Sequence, residues 1–116
     1  MDVYVISFDL KPDVSDVTFA DHVGAYLGAL KRDGRIENWR LLRRKLGFGP
    51  PGTGEWNVLI ETKGLAQLDD AFSVVSTRAG PIEGMHFEVN RHAVNITFSL
   101  MRDFPDAQRV RGEEKF

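Results

Sequence analysis

Three side chains in this sequence, His22, His86 and His92, can take up or release a proton near neutral pH, because the imidazole of histidine ordinarily titrates there. None of them stands in the His-x-x-x-His or His-x-His spacing that sets two ligands on one side of a metal ion, so no metal site is expected. His22 adjoins the apolar Val23 in a helical pattern, which places it at a helix edge facing solvent. His92 falls at the entrance to a strand and is hard to aim inward. His86 is the candidate general acid or base, with Glu61 as the other group able to join an acid-base set. The competing reading of His86 is a partly buried histidine bonded to backbone. Arg40, Arg43, Arg44 and Lys45 form a basic run that can hold an anionic ligand or a partner's carboxylate; such a run also serves as a solvated strand edge that discourages aggregation. Trp39 and Trp56 can stack on an aromatic molecule. Ser7, Ser73, Ser76 and Ser99 lack the context of a nucleophile elbow, and the chain has no cysteine to act as a thiolate.

The elements that must position these residues are legible from period. Val3 to Leu10 reads as a central strand, with Tyr4, Ile6, Phe8 and Leu10 on one face and Val3 and Val5 on the other. Lys11-Pro12-Asp13 ends it, since proline has no amide proton to donate. Ser15 or Asp16 caps a helix whose stripe is Phe19, Val23, Leu27 and Leu30, supported by Ala20 and Tyr26 and ending at Asp33-Gly34. Inside that helix Gly24 and Gly28 suit either close packing on the sheet or a tolerated local weakness. Ile36 to Leu46 reads as a strand, although the adjacent Leu41 and Leu42 cannot share a face of a regular one and leave its faces unassigned. The following eight residues, Gly47 to Gly54, hold four glycines and two prolines. This is a long hairpin loop. No Walker Lys-Ser/Thr pair or dinucleotide fingerprint accompanies it, which argues against a phosphate cradle. Glu55 to Thr62 alternates Trp56, Val58 and Ile60 against Asn57, Leu59 and Glu61. From Gly64 the period turns helical through Leu65, Leu68, Phe72, Val75 and Ala79, up to Gly80-Pro81. Ile82 to His92 reads as a short helix opened by Pro81 and Glu83, with a strand as the alternative. Val94, Ile96, Phe98 and Leu100 alternate with Asn95, Thr97 and Ser99 in the last strand, and a polar tail follows.

The order strand, helix, strand, strand, helix, short helix, strand predicts an α+β ferredoxin-like βαββαβ domain over residues 1–104, with a C-terminal tail over 105–116. Right-handed crossovers put both long helices on one side of an antiparallel sheet. The expected layer beneath them is Tyr4, Ile6, Phe8, Trp56, Val58, Ile60, Val94, Ile96, Phe98 and Leu100. The opposite face mixes Val3, Val5 and Leu59 with Ser7, Asn57, Glu61, Asn95, Thr97 and Ser99.

This element order, with a helix-free face half apolar and half polar, resembles the dimeric α/β-barrel proteins, in which two ferredoxin-like subunits pack sheet on sheet around a cavity. Asn38 to Gly47 and Arg102 to Asp106 are similar to segments of small uncharacterised bacterial members of that group. The resemblance implies a homodimer formed through the helix-free face, with segment 82–92 bordering the mouth of a cavity that can hold a small organic ligand. On that placement His86 is the catalytic candidate, and Asn57, Glu61, Asn95, Thr97, Trp39 and Arg43 are the ligand-binding candidates. The group includes cofactor-free monooxygenases, isomerases, cyclases, haem-binding enzymes and ligand-sensing domains. Two classes of function therefore fit: a binding or sensing domain, or a cofactor-independent enzyme acting on an apolar or aromatic molecule. A haem-binding member would use His86 or His92 as proximal ligand. The first strand lacks the opening histidine typical of the stress-responsive branch.

Composition narrows the partners. A net charge of −2 and pI near 5.9 lack the basic footprint that phosphate neutralisation requires, which disfavours nucleic acid. There is no apolar run of about 18 residues, and Asp2 stands where a secretory signal would be basic, so a cytoplasmic protein outside the membrane is expected.

Overall fold

The structure, a computed structural model, describes residues 1–113 and residue 115. Its elements follow the order read from the sequence: β1 (Asp2–Leu10), α1 (Asp16–Arg32), β2 (Asn38–Arg43), β3 (Trp56–Thr62), α2 (Leu65–Ser76), α3 (Gly80–Asn90) and β4 (Ala93–Arg102). The sheet runs β2-β3-β1-β4 with every neighbouring pair antiparallel, so β1 lies inside it. This is the ferredoxin-like arrangement. Residues 103–113 form turns, and the expected tail extends over residues 114 and 116, which lie outside the described residues.

Local chemistry sets the helix ends. Ser15 Oγ accepts a hydrogen bond from the Thr18 amide at 3.3 Å, an N-cap contribution of about 1 kcal/mol. Asp16 in the first turn and Lys31 and Arg32 in the last complement the helix dipole. Between α2 and α3 the chain turns through Arg78 at φ 56° and Gly80 at φ 77°. Glycine takes that left-handed conformation freely and arginine takes it at a cost. Pro81 then opens α3, where its missing amide proton is no loss.

The core fills the space between the sheet and the helices. Phe19, Val23, Leu27 and Leu30 of α1 are buried against Phe8, Trp56, Val58 and Ile60. Phe19 meets Phe8 edge-on at 5.6 Å and Trp56 at 6.2 Å between ring centroids, geometry that the ring quadrupoles favour. At the end of the long loop, a Cβ on Gly54 would lie 2.1 Å from the Phe8 carbonyl oxygen, so only glycine lets the backbone pass so close to β1.

Cross-strand register assigns the faces of β2 that the sequence leaves open and changes one expected placement, that of Val94. Trp39, Leu41 and Arg43 of β2 pair with Ile60, Val58 and Trp56 and therefore share the helix side. Trp39 packs beneath α1, where a Cβ on Gly24 would meet its ring at an ordinary 3.7 Å. Asn38, Arg40 and Leu42 take the open face. In β4, Val94 pairs with Asp9 and Thr97 with Ser7, so two β4 residues, Asn95 and Ile96, lie opposite the single residue Phe8. This bulge, with Asn95 at φ 53°, turns Val94 to the open face while Ile96 stays beneath the helices.

The glycine-rich loop is organised from within. Arg44 Nη2 donates to the Pro50 and Thr53 carbonyl oxygens, each at 2.8 Å, and to Thr53 Oγ1 at 2.6 Å.

Candidate functional site

Between the sheet and the three helices lies a cavity of about 370 Å³. Tyr4, Ile6 and Phe8 of β1 form its floor, and Tyr26 and Leu27 of α1, Phe72 and Val75 of α2, and His86 and Val89 of α3 form its walls. The end of α1, the residues before β2 and the start of α2 contribute only aliphatic side chains, Leu30, Ile36 and Leu68. Ser76 at the end of α2, Arg78 in the turn that follows, and His86 and Asn90 of α3 supply polar groups. Phe72 and Phe98, 46% and 63% exposed, stand beside Tyr4 at the edge-strand rim, Phe72 edge-on at 5.3 Å and Phe98 stacked at 5.9 Å.

One titratable cluster belongs to this cavity. His86 Nδ1 lies 3.7 Å from Glu83 Oε2, one helical turn earlier on α3. Both atoms are buried, and neither has a hydrogen-bond partner among the described residues. The other carboxylate oxygen of Glu83 lies 3.9 Å from Arg78 Nη1. The Tyr26 ring lies 5.5 Å from the His86 ring, inclined at 54°. Burial, with smaller contributions from the Glu83 carboxylate and from Tyr4, pushes the Tyr26 hydroxyl up to about 12. Burial also raises Tyr4. Both phenols therefore hold their protons through the physiological range and act as donors.

The polar residues expected from the sequence divide between the two sides of the sheet. Asn57, Glu61, Asn95 and Thr97 belong to the open face, and His86 belongs to the helix side, so the structure does not bring them into one constellation. The physical reason is the position of α3, which packs beside α1 under the same side of the sheet as the other helices. On the open face, Ser7 Oγ donates to Asn57 Oδ1. Asp9 Oδ1 accepts from the Glu55 amide at 2.9 Å and Asp9 Oδ2 from Asn95 Nδ2 at 3.2 Å. These contacts, the Glu55 amide first, hold the Asp9 carboxyl below its usual range. Thr97 is exposed opposite Ser7, and Glu61 lies opposite Val3 and Asn38.

The basic run disperses. Arg43 stands over the Trp56 ring at 5.0 Å and pairs with Glu55 at 3.1 Å and Asp16 at 3.4 Å. It does not pair with Glu61, which lies opposite Asn38 at the other end of the β2–β3 ladder and on the other face of the sheet. Arg44 is occupied by its own loop. Trp39, beneath α1, is not among the cavity-lining residues. His92 Nε2 accepts from Arg91 Nε at 3.1 Å, and burial first, then Arg91, holds the His92 imidazole below its ordinary value. Among the described residues no three His, Asp or Glu side chains gather as metal ligands would.

Sequence reasoning missed Tyr26 and Glu83. Tyr26 reads there as support for a core stripe and Glu83 as a first-turn helix charge. The Glu83–His86 spacing of three residues on a helix was the available signal, since such residues are neighbours on one face.

This fold and cavity define a ferredoxin-like α+β domain, and solved structures share it. One is a variant of SnoaB, a cofactor-independent oxygenase from Streptomyces nogalater, at 8% identity and a TM-score of 0.68, covering 93% of this chain and 97% of that one. A dimeric ferredoxin-like protein of unknown function from Jannaschia sp. CCS1 matches at 8% identity and 0.65, covering 88% and 98%. An antibiotic biosynthesis monooxygenase matches at 18% identity and 0.59, covering 90% and 100%. At these identities the likeness establishes the fold. The chain belongs to a family of unknown function, DUF6614, whose pattern matches residues 1–116. No curated protein matches it. No helix among the described residues is long and apolar enough to cross a membrane.

Proposed function

We propose that the protein is a homodimer in which each subunit binds a small, largely apolar organic molecule in the cavity beneath α3. The observation that carries this reading is an apolar cavity of about 370 Å³ with Tyr26 and His86 on its wall. That volume falls within the range of small-molecule sites, about 300–1,000 Å³. The Tyr26 phenol and the His86 imidazole on that wall are the groups that can meet a polar end of such a molecule. The aliphatic end formed by Leu30, Ile36 and Leu68 suits the remainder of such a molecule.

The dimer reading rests on the open face, where Val3, Val5, Leu42, Leu59 and Met101 lie without helix cover. Burying each large apolar side chain contributes roughly 1.5–3 kcal/mol. The solved dimeric relative in fold supplies the precedent. In this arrangement Asn57, Glu61, Asn95 and Thr97 face the partner and the water between the sheets; the ligand lies on the other side. A second reading, a cofactor-independent enzyme with His86 as acid or base, is favoured by the carboxylate beside His86 and has its precedent in the oxygenase of like fold.

Native mass spectrometry of the purified protein tests both halves. A dimer carrying a releasable small molecule is expected, with the ligand lost in His86→Leu. A mass of 13.1 kDa at micromolar concentration removes the dimer. Saturation-transfer NMR with bicyclic aromatic probes showing no contact with the protein removes the cavity site.

A further inference from the structure

We infer that the cavity takes a monocarboxylate, its apolar body pointing inward and its carboxylate held at the mouth by the Arg78 guanidinium. This rests on the cavity reading above and gives the ligand its chemical class. Among the described residues that line the cavity, Arg78 alone carries a permanent charge, and no aspartate, glutamate or lysine accompanies it. A guanidinium cannot lose its proton in a protein. An anion that enters therefore meets one fixed positive charge and no fixed negative one. Glu83, whose Oε1 lies 3.9 Å from Arg78 Nη1, is not a lining residue. One charge, shared with Glu83, suits a monoanion better than a phosphate ester, which carries about two negative charges at neutral pH. The Arg78 side chain is 68% exposed, so it stands at the opening and not in the depth. Among the described residues its guanidinium makes no hydrogen bond, and its N–H donors form a fork that matches the two oxygens of a carboxylate.

The backbone gives an independent sign. Arg78 sits at φ 56°, a conformation that costs a residue bearing a Cβ. The turn itself does not need an arginine: glycine takes such an angle freely, as Gly80 does two residues later at φ 77°. Strain of this kind gathers at ligand-binding positions. Length and polarity then set the direction of the ligand. Leu68 stands eight residues before Ser76 on α2, which separates the aliphatic end of the cavity from the end near Arg78 by about 12 Å at the helical rise. An extended chain of about eight to ten carbons covers that span at roughly 1.2 Å per bond. The reverse insertion would set the carboxylate among Leu30, Ile36 and Leu68, where no polar group could replace its water. An amine would bring its charge against Arg78, and an alcohol would forgo the charge-assisted bonds.

Calorimetric titration of the full chain with octanoate, 1-octanol, octylamine and butyrate tests this. Wild-type protein is expected to bind one octanoate per subunit, about tenfold or more tighter than 1-octanol, with octylamine weaker than the alcohol. Butyrate keeps the charge and lacks four methylenes, so it should bind about 100-fold more weakly than octanoate. Arg78→Gly should abolish the preference for octanoate over 1-octanol while leaving the alcohol's affinity unchanged, a split that a merely structural role would not produce. Its melting temperature should not fall, because glycine relieves the positive φ. Arg78→Lys, which keeps the charge without the fork, should show an intermediate preference and carries the same test if the glycine variant does not fold. Octanol bound as tightly as octanoate, or octanoate held at full affinity by Arg78→Gly, overturns the inference and leaves the cavity reading intact. Several octanoates bound per subunit without dependence on Arg78 also overturn it, as adsorption. Absence of binding by octanoate and 1-octanol, with bicyclic aromatic probes still bound, overturns the inference alone; absence of binding by all three removes the cavity reading with it.

Discussion

On the open face of the sheet, Ser7 donates to Asn57 and Asp9 takes hydrogen bonds from the Glu55 amide and Asn95. Beneath α3, by contrast, Glu83 and His86 each keep a buried atom unmatched. Both regions set polar groups among apolar neighbours, yet the first is complete within one chain and the second is not. The difference separates two uses of polarity. A satisfied pair fixes geometry in a surface that another subunit can cover, whereas an unsatisfied pair weakens the fold and leaves binding capacity for something else.

The largest expected effect comes from breaking the open face. Val5→Asp places an unpaired charge in the proposed interface and should weaken association roughly 100-fold or more, since each 1.4 kcal/mol is a factor of ten. Sedimentation equilibrium reads this directly. Ser7→Ala, which strands Asn57, should cost about 1–3 kcal/mol in urea unfolding. Adding Asn57→Leu should then cost less than the sum of the two single changes, because the residues act as a pair.

The helix side should respond with the opposite sign. Replacing Glu83 and His86 together by leucine should raise stability by about 1 kcal/mol while abolishing ligand binding. A loss of stability comparable to that of Ser7→Ala would show that the two regions do not differ. In acid, Asp9 provides a further contrast. Its folded-state value is depressed below 3.8, so its contribution is fully present above the unfolded value and is lost as pH falls through the folded one. Asp9→Asn should therefore flatten the acid limb of the stability profile, measured by thermal melts from neutrality down to the pH of unfolding. The smallest change is Gly24→Ala. Its new methyl would meet Trp39 at 3.7 Å, so the variant should gain about 0.5–1 kcal/mol from helix propensity alone.

The helices and strands were legible in the sequence because their apolar periods are long and clean, and the order alone predicts the ferredoxin-like arrangement. The faces were harder. Val94 reads in phase with Ile96, Phe98 and Leu100, but the bulge at Asn95 shifts the phase by one residue. Leu41 and Leu42 left β2 unassigned, and only its register with β3 turns Trp39 and Arg43 to the helix side. His86 could be singled out as an acid-base candidate, yet its side of the sheet could not be read. The path of α3 depends on a turn through Arg78 at positive φ, a conformation that an arginine does not advertise. Tyr26 was hidden for a related reason, since a stripe of apolar and aromatic residues looks the same whether it meets a filled core or a cavity.

The loop gathered around Arg44 has a consequence for protein engineering. A Cβ on Gly49 would lie 2.2 Å from Arg44 Nε, and Thr53 is tied both to that guanidinium and to the Pro50 carbonyl oxygen at 3.0 Å. The segment from Gly49 to Thr53 is thus a knot that tolerates little rewriting. Leu46 and Phe48, 80% and 77% exposed, stand outside it. Foreign sequence spliced in at Gly47, between the end of β2 at Arg43 and the start of β3 at Trp56, would hang from a clamped base, which makes this loop the natural attachment point for a reporter.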